Sequence, residues 1–118
     1  MKRTKIYIEE VKEGDKKFSL TLFEVENATL AFFNEEDVMR MGTLSVAMPS
    51  IEGEPPIISS ILLGDKNTAT TRILAEMLAK SYGKMALVST SIRTVDEAEA
   101  GLVLMKLTKK FLVKREKK

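Results

Sequence analysis

A strand, a helix and a second strand follow one another without interruption between Ile57 and Ser91, and this run constrains the fold more than any other part of the chain. Ile57, Ile58, Ile61, Leu62 and Leu63 make a short apolar run of the length and β-branched character of a buried strand. Gly64 ends it, and Asp65 and Asn67 offer side-chain acceptors for the free N–H groups of a helix start. From Thr68 the period becomes helical: Ile73, Leu74, Met77 and Leu78 recur at helix spacing, with Arg72, Glu76 and Lys80 between them. Gly83 closes the helix, and Met85 to Ser91 reads as the second strand. Everything upstream must then be sheet for this helix to cover.

The upstream chain has that pattern. Arg3 to Val11 places Ile6 and Ile8 on one face and Lys5, Tyr7 and Glu9 on the other, as in a half-buried strand. Glu13-Gly14-Asp15 is a turn. Lys17 to Val25 alternates again, with Phe18, Leu20 and Leu22 opposed to Ser19, Thr21 and Phe23. Glu26-Asn27 connects to a third strand, Ala28 to Phe33, and the three form an antiparallel meander. Asn34 to Asp37 starts a polar turn or one short helical turn carrying Val38, Met39 and Met41, and Gly42 opens a fourth strand through Met48. Pro49 to Pro56 holds all three prolines of the chain and reads as a surface loop, with Ile51, Glu52 and Glu54 as a candidate partner contact.

Downstream, Thr94-Val-Asp-Glu97 has the spacing of a capping box. The helix it opens should run to about Val113. Its apolar positions, among them Leu102, Val103, Leu104, Met105, Leu107, Phe111 and Leu112, form a stripe wider than one buried face requires. The predicted fold is α+β: a six-stranded, mostly antiparallel sheet with two helices on one face, in the order βββββαβα. With 118 residues and 44% hydrophobic content, residues 1–118 form a single domain.

The side chains available exclude most chemistry. The sequence has no histidine and no cysteine, so the commonest general base, the commonest metal ligand, disulfides and thiolate chemistry are all missing. Ser89, Thr90 and Ser91 have no histidine to activate them. Glu35, Glu36 and Asp37 could do acid–base work, but adjacent carboxylates in a polar turn read as solvated charge. Gly64-Asp-Lys-Asn-Thr68 precedes a helix and could offer N–H groups to an anion, yet it lacks the second glycine and the Gly-Lys-Ser/Thr ending of a phosphate loop. A helix cap accounts for it better. No catalytic, cofactor or metal site is expected.

The first residues carry no apolar signal core and no run reaches the ~20 apolar residues of a membrane span, which points to a cytosolic chain. Gln, Cys, Trp and His are all missing while Lys and Glu abound, the pattern of hyperthermophilic proteins, and a thermophilic archaeon is the expected source.

Charge is unevenly placed. Lys106 to Lys118 holds seven basic residues and one acid, a net of +6, whereas residues 1–105 hold 12 basic and 16 acidic groups, a net of −4. Lys109, Lys110, Lys114 and Arg115 could meet an acidic partner, or could simply complement the helix dipole and keep the chain soluble. No aromatic residue interleaves with the lysines after Phe111, which disfavours nucleic acid.

Leu44-Ser-Val-Ala-Met-Pro-Ser50, then Ile61-Leu-Leu-Gly-Asp65 with Thr70 and Thr71 after it, then the Leu74/Leu78 helix and Leu87-Val-Ser-Thr90, form an ordered set. Over roughly Gly42 to Ile92 the chain resembles the fourth member of the eukaryotic proteasome assembly chaperones. The resemblance implies a non-enzymatic, dimeric, protein-binding chaperone whose partner is a proteasome α-type subunit or a related assembly-chaperone-like protein. It also implies engagement through a folded surface, since the sequence ends Lys114-Arg-Glu-Lys-Lys118 without the hydrophobic–tyrosine ending by which some proteasome-binding proteins dock.

With both helices on one side of the sheet, the opposite face needs a cover. Its expected members are Thr21, Phe23, Thr29, Ala31, Phe33, Thr43, Ser45 and Ala47, with Phe23 and Phe33 as an apolar island. Either the Pro49–Pro56 loop tucks over it, or it stacks on a second copy of the chain, with Phe23, Ala31, Phe33, Thr43, Ser45 and Ala47 as the interface. Two readings of function from other classes stay open: a small ligand-sensing domain with a pocket between the central helix and the sheet, and nucleic-acid binding through the C-terminal lysines.

Overall fold

The computed structural model describes residues 4–50 and 58–116. Its elements are β1 (Lys5–Glu13), β2 (Lys16–Glu24), β3 (Ala28–Glu35), β4 (Thr43–Met48), β5 (Ile58–Leu63), α1 (Thr68–Tyr82), β6 (Met85–Ser91) and α2 (Glu97–Glu116). The expected order and the antiparallel β1–β2–β3 meander are both found. One sheet runs β1-β2-β3-β6-β4-β5, and β3–β6 is its parallel pair. Strands β5 and β6 both lie antiparallel to β4, so α1 is a crossover between two parallel strands with β4 inserted between them.

Both helices lie on the same face. Leu74, Leu78, Leu104, Leu107 and Phe111 from the helices pack with Phe18, Leu20, Leu22, Phe33 and Val88 from the sheet in one core. Alpha-1 sits over β4, β5 and β6, and α2 over β1 and β2. The strip beneath α1 is built from small side chains: Ser45, Ala47 and Ala86 from the sheet meet Ala75 and Ala79 from the helix, all fully buried. Small residues let a helix approach a sheet closely, and dispersion then does the packing.

The caps differ from the sequence expectation. Asn67 precedes α1 in a left-handed backbone (φ 59°) and makes no side-chain cap bond; its carbonyl instead accepts from the Thr71 amide and hydroxyl. At α2 the cap is Asp96, whose carboxylate accepts from the Glu99 amide at 2.8 Å. Thr94 does not cap, because its hydroxyl donates to Glu35 at 2.6 Å. That carboxylate also accepts from the Arg93 amide, tying the end of β3 to the segment after β6. Burial pushes the Glu35 carboxyl up, but the Thr94 hydroxyl and the two backbone amides outweigh it and hold it below the ordinary carboxylate range.

Gly64 is required where β5 ends. Its φ is +93°, and a Cβ there would lie 2.6 Å from the Thr43 Cα. Gly83 closes α1 with its amide on the Ala79 carbonyl, as expected.

Candidate functional site

Side chains alternate across a strand, and directly opposed residues share a face. The pairings therefore fix both sides of the sheet. Leu20 faces Phe33 and Leu22 faces Ala31, so Phe33 and Ala31 lie under the helices with the leucines. Val88 pairs with Ala31 and with Ser45, which carries β4 onto the same side.

This overturns most of the expected interface set. Ala31, Phe33, Ser45 and Ala47 are fully buried in the core and Thr43 nearly so, and of the six only Phe23 lies on the outer face. A shift of one residue moves a whole strand's side chains to the other side. Both faces of β3 and β4 are apolar, so composition could not choose between them. The same correction holds for β1. Tyr7 turns inward, its ring 5.8 Å from that of Phe111, while Ile6 and Ile8 are 60% and 66% exposed.

The true outer face is larger and more apolar than the one expected. One row of neighbours crosses all six strands as Ile6, Phe23, Leu30, Leu87, Val46 and Ser60. The next row runs Ile8, Thr21, Phe32, Ser89, Leu44 and Leu63. Phe23 and Phe32 meet edge to face, 6.0 Å between centroids. At about 4.8 Å per strand the rows span roughly 24 Å. Met48 and Ile58, paired at one end, are also exposed.

The sorting by size is the telling feature. On β4 the small Thr43, Ser45 and Ala47 face the helices, whereas Leu44, Val46 and Met48 face outward. Apolar bulk is thus placed where no other described element of the chain covers it. Exposed apolar patches of this extent mark interaction surfaces.

One margin of the face is polar. Asn34 accepts from the Arg40 amide and donates to the Met39 sulfur, and the Ser89 hydroxyl accepts from the Gly42 amide. These bonds pin residues 36–42 across the ends of β3 and β6, leaving Val38, Met39 and Met41 exposed there. Lys17 bridges Glu10 and Asp37 beside them.

The other expected contacts fall elsewhere. Ile51, Glu52 and Glu54 lie outside the described residues. Most of the basic cluster on α2 is engaged within the chain. Lys110 and Lys114 converge on Glu9, Lys106 pairs with Glu13, and Arg115 stacks 3.7 Å over the Tyr82 ring. Burial pushes the Glu9 carboxyl up, but Lys114 and Lys110 outweigh it and hold it below the usual range. Burial also pushes the Tyr82 hydroxyl up to about 12. Lys109 remains exposed. The cations predicted for an acidic partner thus mainly fasten α2 to β1, a pairing between elements about a hundred residues apart that no local pattern discloses.

The space between α1 and the sheet, where a ligand pocket was the alternative, is filled by Leu74, Ala75, Leu78, Ala79, Ala86 and Val88, each fully buried. Among the described residues no group of three potential metal ligands gathers, and no helix is long and apolar enough to cross a membrane.

A helix-backed sheet whose bare face carries the larger apolar residues has the form of a protein-binding domain. The family model for proteasome assembly chaperone 4 matches residues 17–92, and the chain belongs to that family, whose members are not enzymes. The fold is also that of a chain in the crystal structure of a novel chaperone complex for yeast 20S proteasome assembly. There the TM-score is 0.73 at 12% identity, over 97% of this chain and 96% of the other. No curated protein matches the chain in sequence.

Proposed function

We propose that the chain is an assembly chaperone that pairs with a second copy through its outer sheet face. The pair then presents its remaining surface to a proteasome α-type subunit or to a related assembly-chaperone-like protein, in the cytoplasm. The observation that carries this reading is the sorting of β4, with small residues toward the helices and Leu44, Val46 and Met48 outward. A face of six strands is of the order of the ~800 Å² per partner that a stable interface buries. Its two apolar rows can stack on themselves under two-fold symmetry. Chaperone action of this kind needs no turnover, only a preformed surface that shields another.

The test is light scattering on the purified chain and on Phe23→Lys. The wild type should elute at twice 13.2 kDa. The variant, with a charge on the central row and an untouched core, should elute as a single folded chain. A monomeric wild type, or a variant that still pairs, would refute the sheet-face interface. Capture of α-type subunits by the tagged wild type from an extract of its source tests the partner separately.

A further inference from the structure

The apolar stripe of α2 is wider than its buried face needs, and the outer sheet face leaves that surplus unused. Alpha-1 and α2 lie side by side on the sheet and run in the same direction. Near their starts Thr70 stands against Gly101, where an added Cβ would lie 3.1 Å from the threonine hydroxyl. Near their ends Arg115 donates to the Ser81 hydroxyl at 3.5 Å. The groove between the helices opens at that end into a cavity of about 470 Å³, lined by Met77, Lys80, Ser81, Leu112 and Arg115.

Two ridges border the groove. On α1, Ile73, Met77 and Lys80 recur at i, i+4 and i+7; on α2, Leu102, Met105, Lys109 and Leu112 recur at i, i+3, i+7 and i+10. Leu102 is the most exposed large apolar side chain among the described residues, at 75%, and Ile73 is 46% exposed. Met77, Met105 and Leu112 are half-buried below them. The charge here is of one sign, since no carboxylate is among the residues lining the cavity. Lys106, Lys110 and Lys114 are tied to Glu13 and Glu9. Lys80 and Lys109, by contrast, are exposed and form no ion pair among the described residues.

These features select the occupant. A second copy of the chain would bring lysine against lysine, so charge argues against it. The α2 ridge rises about 15 Å from Leu102 to Leu112, at about 1.5 Å per residue, which is the length of three helical turns. A concave strip between two helices takes a third by seating its side-chain ridge, and suits a cylinder better than a flat lipid surface. The methionines accept apolar side chains of varied shape. The two unpaired lysines call for carboxylates on the same ligand.

We infer that the α1–α2 groove docks an amphipathic helix of a partner protein, apolar along Ile73, Met77, Leu102 and Met105 and acidic where it reaches Lys80 and Lys109. The groove is on the helical side of the sheet, away from the outer face, so this docking stands independently of pairing there.

The test is an amide-resonance titration of the ¹⁵N-labelled full chain with acetyl-Ser-Glu-Glu-Glu-Leu-Ala-Ala-Leu-Leu-Ala-Gln-Leu-Ala-Gln-amide. Its acids occupy the first turn and its leucines share one face. The same peptide with lysine for each glutamate, and vesicles of phosphatidylserine and phosphatidylcholine, are run in parallel. Saturable shifts at Met77, Ser81, Met105 and Leu112 are expected with the acidic peptide alone. Leu102→Thr should weaken binding about tenfold, through lost apolar burial. Lys80→Glu/Lys109→Glu should weaken it about tenfold or more and gain affinity for the lysine peptide. Phe23→Lys, on the outer face, should bind as the wild type does, which separates docking from the pairing of two copies. No saturable shift with the acidic peptide, shifts confined to outer-face residues such as Leu30 and Leu87, equal binding of the lysine peptide, binding of the vesicles instead, or unchanged affinity in both groove variants would overturn the proposal.

Discussion

Ile8 gives the sharpest quantitative test of the outer face. Its side chain is 66% exposed on a row that also holds Phe32, Leu44 and Leu63. Complete burial of an isoleucine contributes about 2–3 kcal/mol relative to exposure, so covering the exposed two-thirds is worth about 1.5 kcal/mol. Two-fold pairing counts each substitution twice, for about 3 kcal/mol, or roughly a hundredfold in the dimer dissociation constant. Ile8→Thr keeps a β-branched strand former, leaves the core untouched, and should weaken association by about that factor. Leu102→Thr is the control: Leu102 is 75% exposed on α2, in the helical layer, and its replacement should leave association unchanged. Sedimentation equilibrium over a dilution series reads both. Unchanged association in Ile8→Thr together with weakening in Leu102→Thr would refute the argument, because it would move the interface to the helices.

Two further outcomes test the fold. Phe33→Ala should lower unfolding free energy by about 3–5 kcal/mol in urea, as for a packed aromatic, whereas a surface position would change it by about 0.5 kcal/mol or less. A loss under about 1 kcal/mol would mean that β3 faces the other way. The acid limb of stability should depend on Glu9 and Glu35. Both carboxyls are held below the ordinary 4.5, so their contribution is full above that value and is lost as pH falls through their depressed folded values. Urea midpoints followed from about pH 7 down to about pH 3 should fall less steeply in Glu9→Gln/Glu35→Gln than in the wild type, and parallel profiles would contradict the assignment.

The lesson of the strand faces lies in β2 against β3 and β4. On β2, Phe18, Leu20 and Leu22 alternate with a mostly polar set, so its inward side is legible directly. On β3 and β4 either set could be buried, and the smaller one is. Size argues for the wrong side there, because a close-packed helix selects Ser45 and Ala47 while the bulky residues await a surface outside the described fold. The sequence pattern marks the outer face as apolar and uncovered by the helices, but of the eight residues it assigns there only Thr21 and Phe23 lie on it. Beta-1 misled for a related reason. Isoleucine is an ordinary inward residue, yet Tyr7 and Glu9 turn inward because α2 brings Phe111 and two lysines to meet them.

Local pattern by itself determined the element order, the meander and the glycine stop of α1. Each depends on periodicity or on backbone freedom at one residue. Tertiary structure alone decided which face of each strand is buried, that Asp96 and not Thr94 caps α2, and that the C-terminal lysines bind β1. It also set Met77 and Lys80 beside Leu112 and Arg115 along one groove. Those outcomes turn on register and on contacts between distant segments, where a single-residue slip or one long-range ion pair reverses the result without changing the local sequence signal.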